Sequence, residues 1–145
     1  MSMIKDYMSG DHRECDEHFP PVEDAVMADK WDDALMNFIT FKNSVLKHFK
    51  MEEDVLFPEM EEIMGGGEGP VHIMKMEHNQ VRSILDQMGE SIEEKNRDKF
   101  LGLSDTFMIL IQQHNMKEEQ ILYNMADQIL SDAQNTLEEM KKVEL

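Results

Sequence analysis

The chain has 145 residues, enough for one ordinary domain that buries roughly two-thirds of its unfolded surface. Its 31 acids against 14 lysines and arginines give a formal charge of -17, a field that repels phosphate backbones and anionic lipid and so excludes nucleic acid and membrane partners. No apolar run approaches the ~20 residues that span a bilayer, no signal peptide opens the chain, and the lone Cys15 offers neither a disulfide nor a thiolate metal site, so a cytoplasmic location is expected.

Apolar residues recur at three and four throughout, which predicts an all-α chain. Residues 1–9 read as a short N-terminal arm with Ile4, Tyr7 and Met8 free to dock, and Ser9, Gly10 and Asp11 mark the start of the first helix near Asp11. Pro20 and Pro21 predict a kink or restart after Phe19, with the helix then running to about Ala28. The second helix carries Trp31, Leu35, Phe38, Phe41, Val45, His48, Glu52, Val55 and Met60 on one seam and ends at Gly65-Gly66-Gly67. The third runs from about Pro70 to Glu93 with Val71, Met74, His78, Val81, Leu85, Met88 and Ile92 inward; Gly89 costs it only ~1 kcal/mol.

After Glu94 to Arg97, the fourth carries Phe100, Leu103, Phe107, Ile111, His114, Glu118, Ile121, Met125 and Ile129. Ser131 caps a short C-terminal helix at about 132–143, with Leu137 and Met140 available for packing. Short turns between long amphipathic helices predict an up-down-up-down four-helix bundle with its core at about 11–130.

One stretch occurs twice. His48-Phe-Lys-Met-Glu52-Glu53-Asp-Val-Leu56-Phe57 returns 66 residues later as His114-Asn-Met-Lys-Glu118-Glu119-Gln-Ile-Leu122-Tyr123, and the same offset relates Asp11-His12 to Glu77-His78. Folding back about Lys30 sets His12 level with His48, and folding about Asn96 sets His78 level with His114. Reflection about Gly67 or Glu68 brings His78 opposite Phe57, one helical turn from Glu52.

Each His and Glu four apart share a helix face. Two such pairs on inward faces would bury two carboxylates among four imidazoles, which a cationic centre compensates. The candidate metal ligands are therefore His12, His48, Glu52, His78, His114 and Glu118. Imidazole and carboxylate together suit iron, manganese or zinc rather than calcium or magnesium. Six ligands exceed one tetrahedral zinc. Two metals bridged by Glu52, Glu118 and an oxo or hydroxo group would each keep one position open for dioxygen, nitric oxide or peroxide.

His18, His72 and Cys15 are read as lying away from the metals, Glu53 and Glu119 as a solvated face or contacts between helices, and Tyr123 and Trp31 as packing residues. The methionines, among them Met60, Met64, Met74 and Met88, are read as core filling.

In these motifs the chain resembles the hemerythrin-like, or HHE cation-binding, domain family. The likeness covers nearly the whole chain, from Asp11-His12-Arg13-Glu14 through His48-x-x-x-Glu52-Glu53-x-x-Leu56-Phe57-Pro58 and Glu77-His78 to His114-x-x-x-Glu118-Glu119-x-x-Leu122-Tyr123. It implies a non-haem di-iron site held by the six residues, with both glutamates bridging. Oxygen-carrying hemerythrins have a fifth histidine on the third helix, where this chain has Met74 and Arg82 four residues either side of His78. Four histidines and two glutamates look more like the proteins that repair iron centres under nitrosative or oxidative stress, although no cysteine-bearing segment precedes Asp11.

The function expected first is a di-iron protein binding a diatomic ligand, O2 or NO, for sensing, storage or scavenging in a stress response. A di-iron enzyme of peroxide or NO detoxification or of iron-centre repair is the alternative. A metal-free acidic helical interaction module is the third. Any protein partner is left open.

Overall fold

The computed structural model describes residues 2–67 and 69–145. Met1, in the expected arm, and Glu68, one of the two possible turn pivots, lie outside the described residues. All regular structure among the described residues is helical. The all-α bundle expected from the periodicity is therefore the observed architecture.

Helix α1 (Met3–Glu17) begins well before Asp11, so residues 3–9 are helix rather than arm. Two tertiary interactions explain the extra turns. Ile4 and Met8, one turn apart, are fully buried, and the backbone N–H groups of Ile4 and Lys5 donate to the two carboxylate oxygens of Asp127 at 2.9 and 3.2 Å. A distant side chain thus satisfies helix-end donors that a local cap would normally meet. Ser9 and Gly10, read as a boundary, are interior positions of this helix.

Helix α2 (Pro20–Met27) restarts at the proline, as expected. Asp29 then turns the chain with φ 56°, and Lys95, 66 residues on, does the same with φ 55°. The repeat thus extends into the turns that close both hairpins.

Helix α3 (Trp31–Met51) continues through a π-helical turn, Glu52–Leu56, into α4 (Phe57–Met64). Helix α5 (Pro70–Glu93) keeps the predicted bounds, and each of its seven predicted inward residues is buried. Helix α6 (Arg97–Lys117) likewise passes through a π-helical turn, Glu118–Leu122, into α7 (Tyr123–Ile129). Each π turn adds a residue to the ladder and rotates the helix beyond it. The expected inward residues Val55 and Ile121 are therefore displaced by Leu56 and Leu122. Leu122 is 2% exposed and Ile121 55%. Pro58, with no N–H to give, falls in the first turn after this re-phasing.

Helix α8 (Ala133–Lys141) is capped by Asp132, whose side chain accepts from the Asn135 N–H at 3.1 Å, rather than by Ser131. It buries Met140 completely and Leu137 in part. Gly89 faces Phe38 so closely that a Cβ would lie 3.2 Å from the ring, so its small size serves the α3–α5 packing. Met60, Met74 and Met88 fill the core, whereas Met64 is exposed.

Two apolar clusters occupy the ends of the bundle. One gathers Phe19, Phe38, Phe41, Phe100 and Phe107; the other Ile4, Met8, Leu56, Phe57, Met60, Tyr123 and Met140. On every long helix the residues of interest fall between them: His12 between Met8 and Cys15, His78 between Met74 and Val81, and His114 with Glu118 between Ile111 and Leu122. The clusters thus seal a polar layer at mid-bundle from both ends.

Candidate metal centre

All six candidate ligands reach this layer, and the most exposed of them, His12, is 4% accessible. The hairpins pair the histidines as the turn positions require: ring centroids are 4.4 Å apart for His12 and His48 and 4.9 Å for His78 and His114. The glycine-rich connection also delivers its partner, since His78 stacks on Phe57 at 5.6 Å and its Nε2 lies 3.1 Å from Glu52 Oε1. Ligand atoms of Glu52, His78, His114 and Glu118 lie within 4.8 Å of one another, as do those of His12, His48 and Glu118. Glu118 Oε1 stands between the two sets, 3.0 Å from His12 Nε2 and 3.2 Å from His114 Nε2.

Every imidazole is held from behind by a carboxylate at its Nδ1. The partners are Glu119 for His12 (2.8 Å), Asp11 for His48 (2.7 Å), Glu53 for His78 (2.6 Å) and Glu77 for His114 (2.8 Å). An Nδ1–H donated outward leaves Nε2 with its lone pair facing inward, the tautomer a metal needs. The arrangement obeys the repeat: Asp11 with His48 becomes Glu77 with His114, and Glu53 with His78 becomes Glu119 with His12. Glu53 and Glu119 are thus contacts between helices. Arg82, at one of the two places open to a fifth histidine, donates to Glu53 at 2.7 Å and lies over the Phe49 ring at 5.5 Å; Met74, at the other, packs into an apolar cluster.

Four buried atoms pointing into the layer have no hydrogen-bond partner: Glu52 Oε1, Glu118 Oε2, His78 Nε2 and His114 Nε2. His78 Nε2 and Glu52 Oε1 are close enough to bond to each other, but they are not aligned to do so. Unpaired polar atoms in an apolar core are costly. Two ligand atoms on one ion are expected to sit this way, because bonds of about 2.1 Å at right angles set donors about 3 Å apart. The residues present therefore fit a cation.

Electrostatics agree. Burial lowers the proton affinity of His48 and His114, yet Glu52 beside the first and Glu118 beside the second outweigh it, leaving His48 well above its ordinary value and His114 at about 9. Burial and the neighbouring Glu118 raise Glu52, whereas Glu118, despite burial, is held well below the usual carboxylate range by His114 and its other donors. Without an ion the cluster draws in protons; a divalent cation supplies the same charge.

Tyr123 corrects the expectation of a packing residue. Its hydroxyl lies 2.7 Å from Glu52 Oε2, 2.9 Å from Glu118 Oε1, 3.1 Å from His48 Nε2 and 3.3 Å from His12 Nε2. The π turn rotates it inward. The visible signal lies in the repeated decapeptide, which ends in Phe57 once and in Tyr123 the second time. Trp31, by contrast, packs against the phenylalanine cluster as expected.

His18 is half-buried and His72 exposed, and neither joins the gathered ligands. Cys15 is buried, and desolvation pushes its thiol up to about 11. It borders a small cavity of ≈ 10 Å³ that His12, Val45, His48, Phe49, Phe107 and Ile111 also line, on the side of the layer facing the phenylalanine cluster.

No helix is long and apolar enough to cross a membrane among the described residues. The family model described as Hemerythrin HHE cation binding domain matches residues 3–126. No curated protein and no solved structure matches the chain.

Proposed function

The chain belongs to the hemerythrin HHE cation-binding domain family, and from that premise we propose that its mid-bundle cluster holds two iron ions and presents them to a small diatomic ligand, dioxygen or nitric oxide, for sensing, storage or scavenging. The observation that carries this reading is the set of four sealed, partnerless ligand atoms on Glu52, His78, His114 and Glu118. His12 and His48 would hold one ion, His78 and His114 the other, with Glu52 and Glu118 reaching both. Four imidazoles and two carboxylates are a donor set for a redox-active metal such as iron, which when bound supplies open positions for ligands of this kind.

The chain's own residues do the rest. Asp11, Glu53, Glu77 and Glu119 fix the imidazoles, the two apolar clusters exclude bulk water, and the cavity beside His12 and His48 has room for about one water-sized molecule.

The test is metal analysis of protein produced in iron-rich medium, followed by anaerobic exposure of the reduced form to dioxygen or nitric oxide. Two irons per chain and a new near-ultraviolet or visible absorption are expected, lost in Glu118→Ala and kept in His72→Ala. Less than one metal per chain, or a spectrum that ignores both gases, would overturn the proposal.

A further inference from the structure

The 66-residue repeat makes the two halves of the site equivalent in every candidate ligand and every carboxylate behind one, yet it breaks at the aromatic ring that closes the repeated decapeptide. Phe57, on the His78 side, is a hydrocarbon ring stacked on His78, whereas its counterpart Tyr123 puts an oxygen into the centre. We propose that Tyr123 is a seventh metal ligand, its phenolate oxygen binding the metal held by His12 and His48. This rests on the metal-centre reading above.

Two observations carry it. The hydroxyl oxygen is 2.7–3.3 Å from Glu52 Oε2, Glu118 Oε1, His48 Nε2 and His12 Nε2. These are the separations of neighbouring donors around one ion, about 3 Å for bonds of about 2.1 Å. The second is the placement of the two matching rings. The Phe57 ring lies against His78 at 5.6 Å and the Tyr123 ring against His12 at 5.7 Å, so equivalent rings differ in the one oxygen that reaches these four atoms. A cation bound among them would take the place of the phenolic proton, which leaves when it binds.

The consequence is that the two metals are unlike. One has an extra oxygen donor from the chain; the other has a phenyl ring in the matching place and one donor fewer.

Phenolate bound to ferric iron absorbs in the visible, and excitation there enhances tyrosine ring modes in the resonance Raman spectrum. The ferric, iron-loaded full chain should show both. The chain has 2 tyrosines, and the other, Tyr7, packs against the second apolar cluster with Lys141 over its ring. Tyr123→Phe should abolish the band and the ring modes while two irons stay bound, and Tyr7→Phe should leave them unchanged. Iron-loaded wild-type protein without tyrosine ring modes, or modes that survive Tyr123→Phe, would overturn the proposal and leave the metal reading intact. Wild-type protein that takes up no iron would overturn both. If Tyr123→Phe fails to fold, the wild-type and Tyr7→Phe spectra decide, because ring modes that persist without Tyr7 have Tyr123 as their one source and absent modes refute the assignment.

Discussion

The residue with the largest burden beyond the candidate ligands themselves is Glu53. It accepts from His78 Nδ1 and from Arg82 together, and although its partial burial opposes ionisation, these two donors hold its carboxyl at about 2. The charge it keeps orients the His78 ring and strengthens the lone pair that faces the layer. Arg82 in turn is anchored over Phe49, which stacks on His78 from the other side at 3.8 Å. Replacing Glu53 by Gln retains the shape and removes the charge. Loss of such a partner behind a metal ligand typically costs about tenfold to a hundredfold in metal affinity. Competition with a chelator should show that loss in Glu53→Gln and none in His72→Ala, while far-ultraviolet circular dichroism stays the same. Unchanged affinity in Glu53→Gln would mean that packing on Phe49 and Phe57 alone positions the ring.

At the scale of elements, periodicity makes the gathering of the six candidate ligands, the two hairpins and the bounds of α5 legible, because each depends on residues close in sequence or on turns that can be counted. Two features escape it. Both π turns shift the buried register by one residue, and nothing in a three-and-four pattern distinguishes Val55 from Leu56 or Ile121 from Leu122 before the extra residue is known. For the same reason Tyr123 reads as a packing residue in the sequence. The start of α1 escapes because its cap comes from Asp127, 123 residues from Ile4. This contact has a measurable share in stability. Asp127→Ala leaves two donors of the first turn without a partner and should cost about 1 kcal/mol, the ordinary value of a capping side chain. Urea denaturation should report it, and hydrogen exchange should show the opening confined to residues 3–8, with the iron spectrum unchanged. Equal protection of that turn in the variant would show that burial of Ile4 and Met8 alone holds it.

For the molecule as a whole, the central layer makes stability depend on pH differently with and without metal. In the stripped protein His114 is raised from its ordinary 6.5 to about 9, so it contributes stability that is full below about 6.5 and lost as pH rises through about 9. Glu118 is depressed below its ordinary 4.5, so its contribution is present above 4.5 and lost on acidification. The metal-free bundle should accordingly be most stable between about 4.5 and 6.5 and weaken toward alkaline pH. Metal needs the same imidazoles without their inward protons, so its binding releases protons and tightens as pH rises across the interval in which stripped His114 deprotonates. Anything that binds only the folded chain raises its melting temperature in proportion to the logarithm of that affinity. The gap in Tm between iron-loaded and chelator-stripped protein should therefore widen from pH 6.5 to pH 9, with the stripped form falling while the loaded form holds. Thermal denaturation of both forms at fixed ionic strength measures it. A gap that stayed constant or narrowed would mean that the protons stored in the apo layer are not the ones the metal displaces.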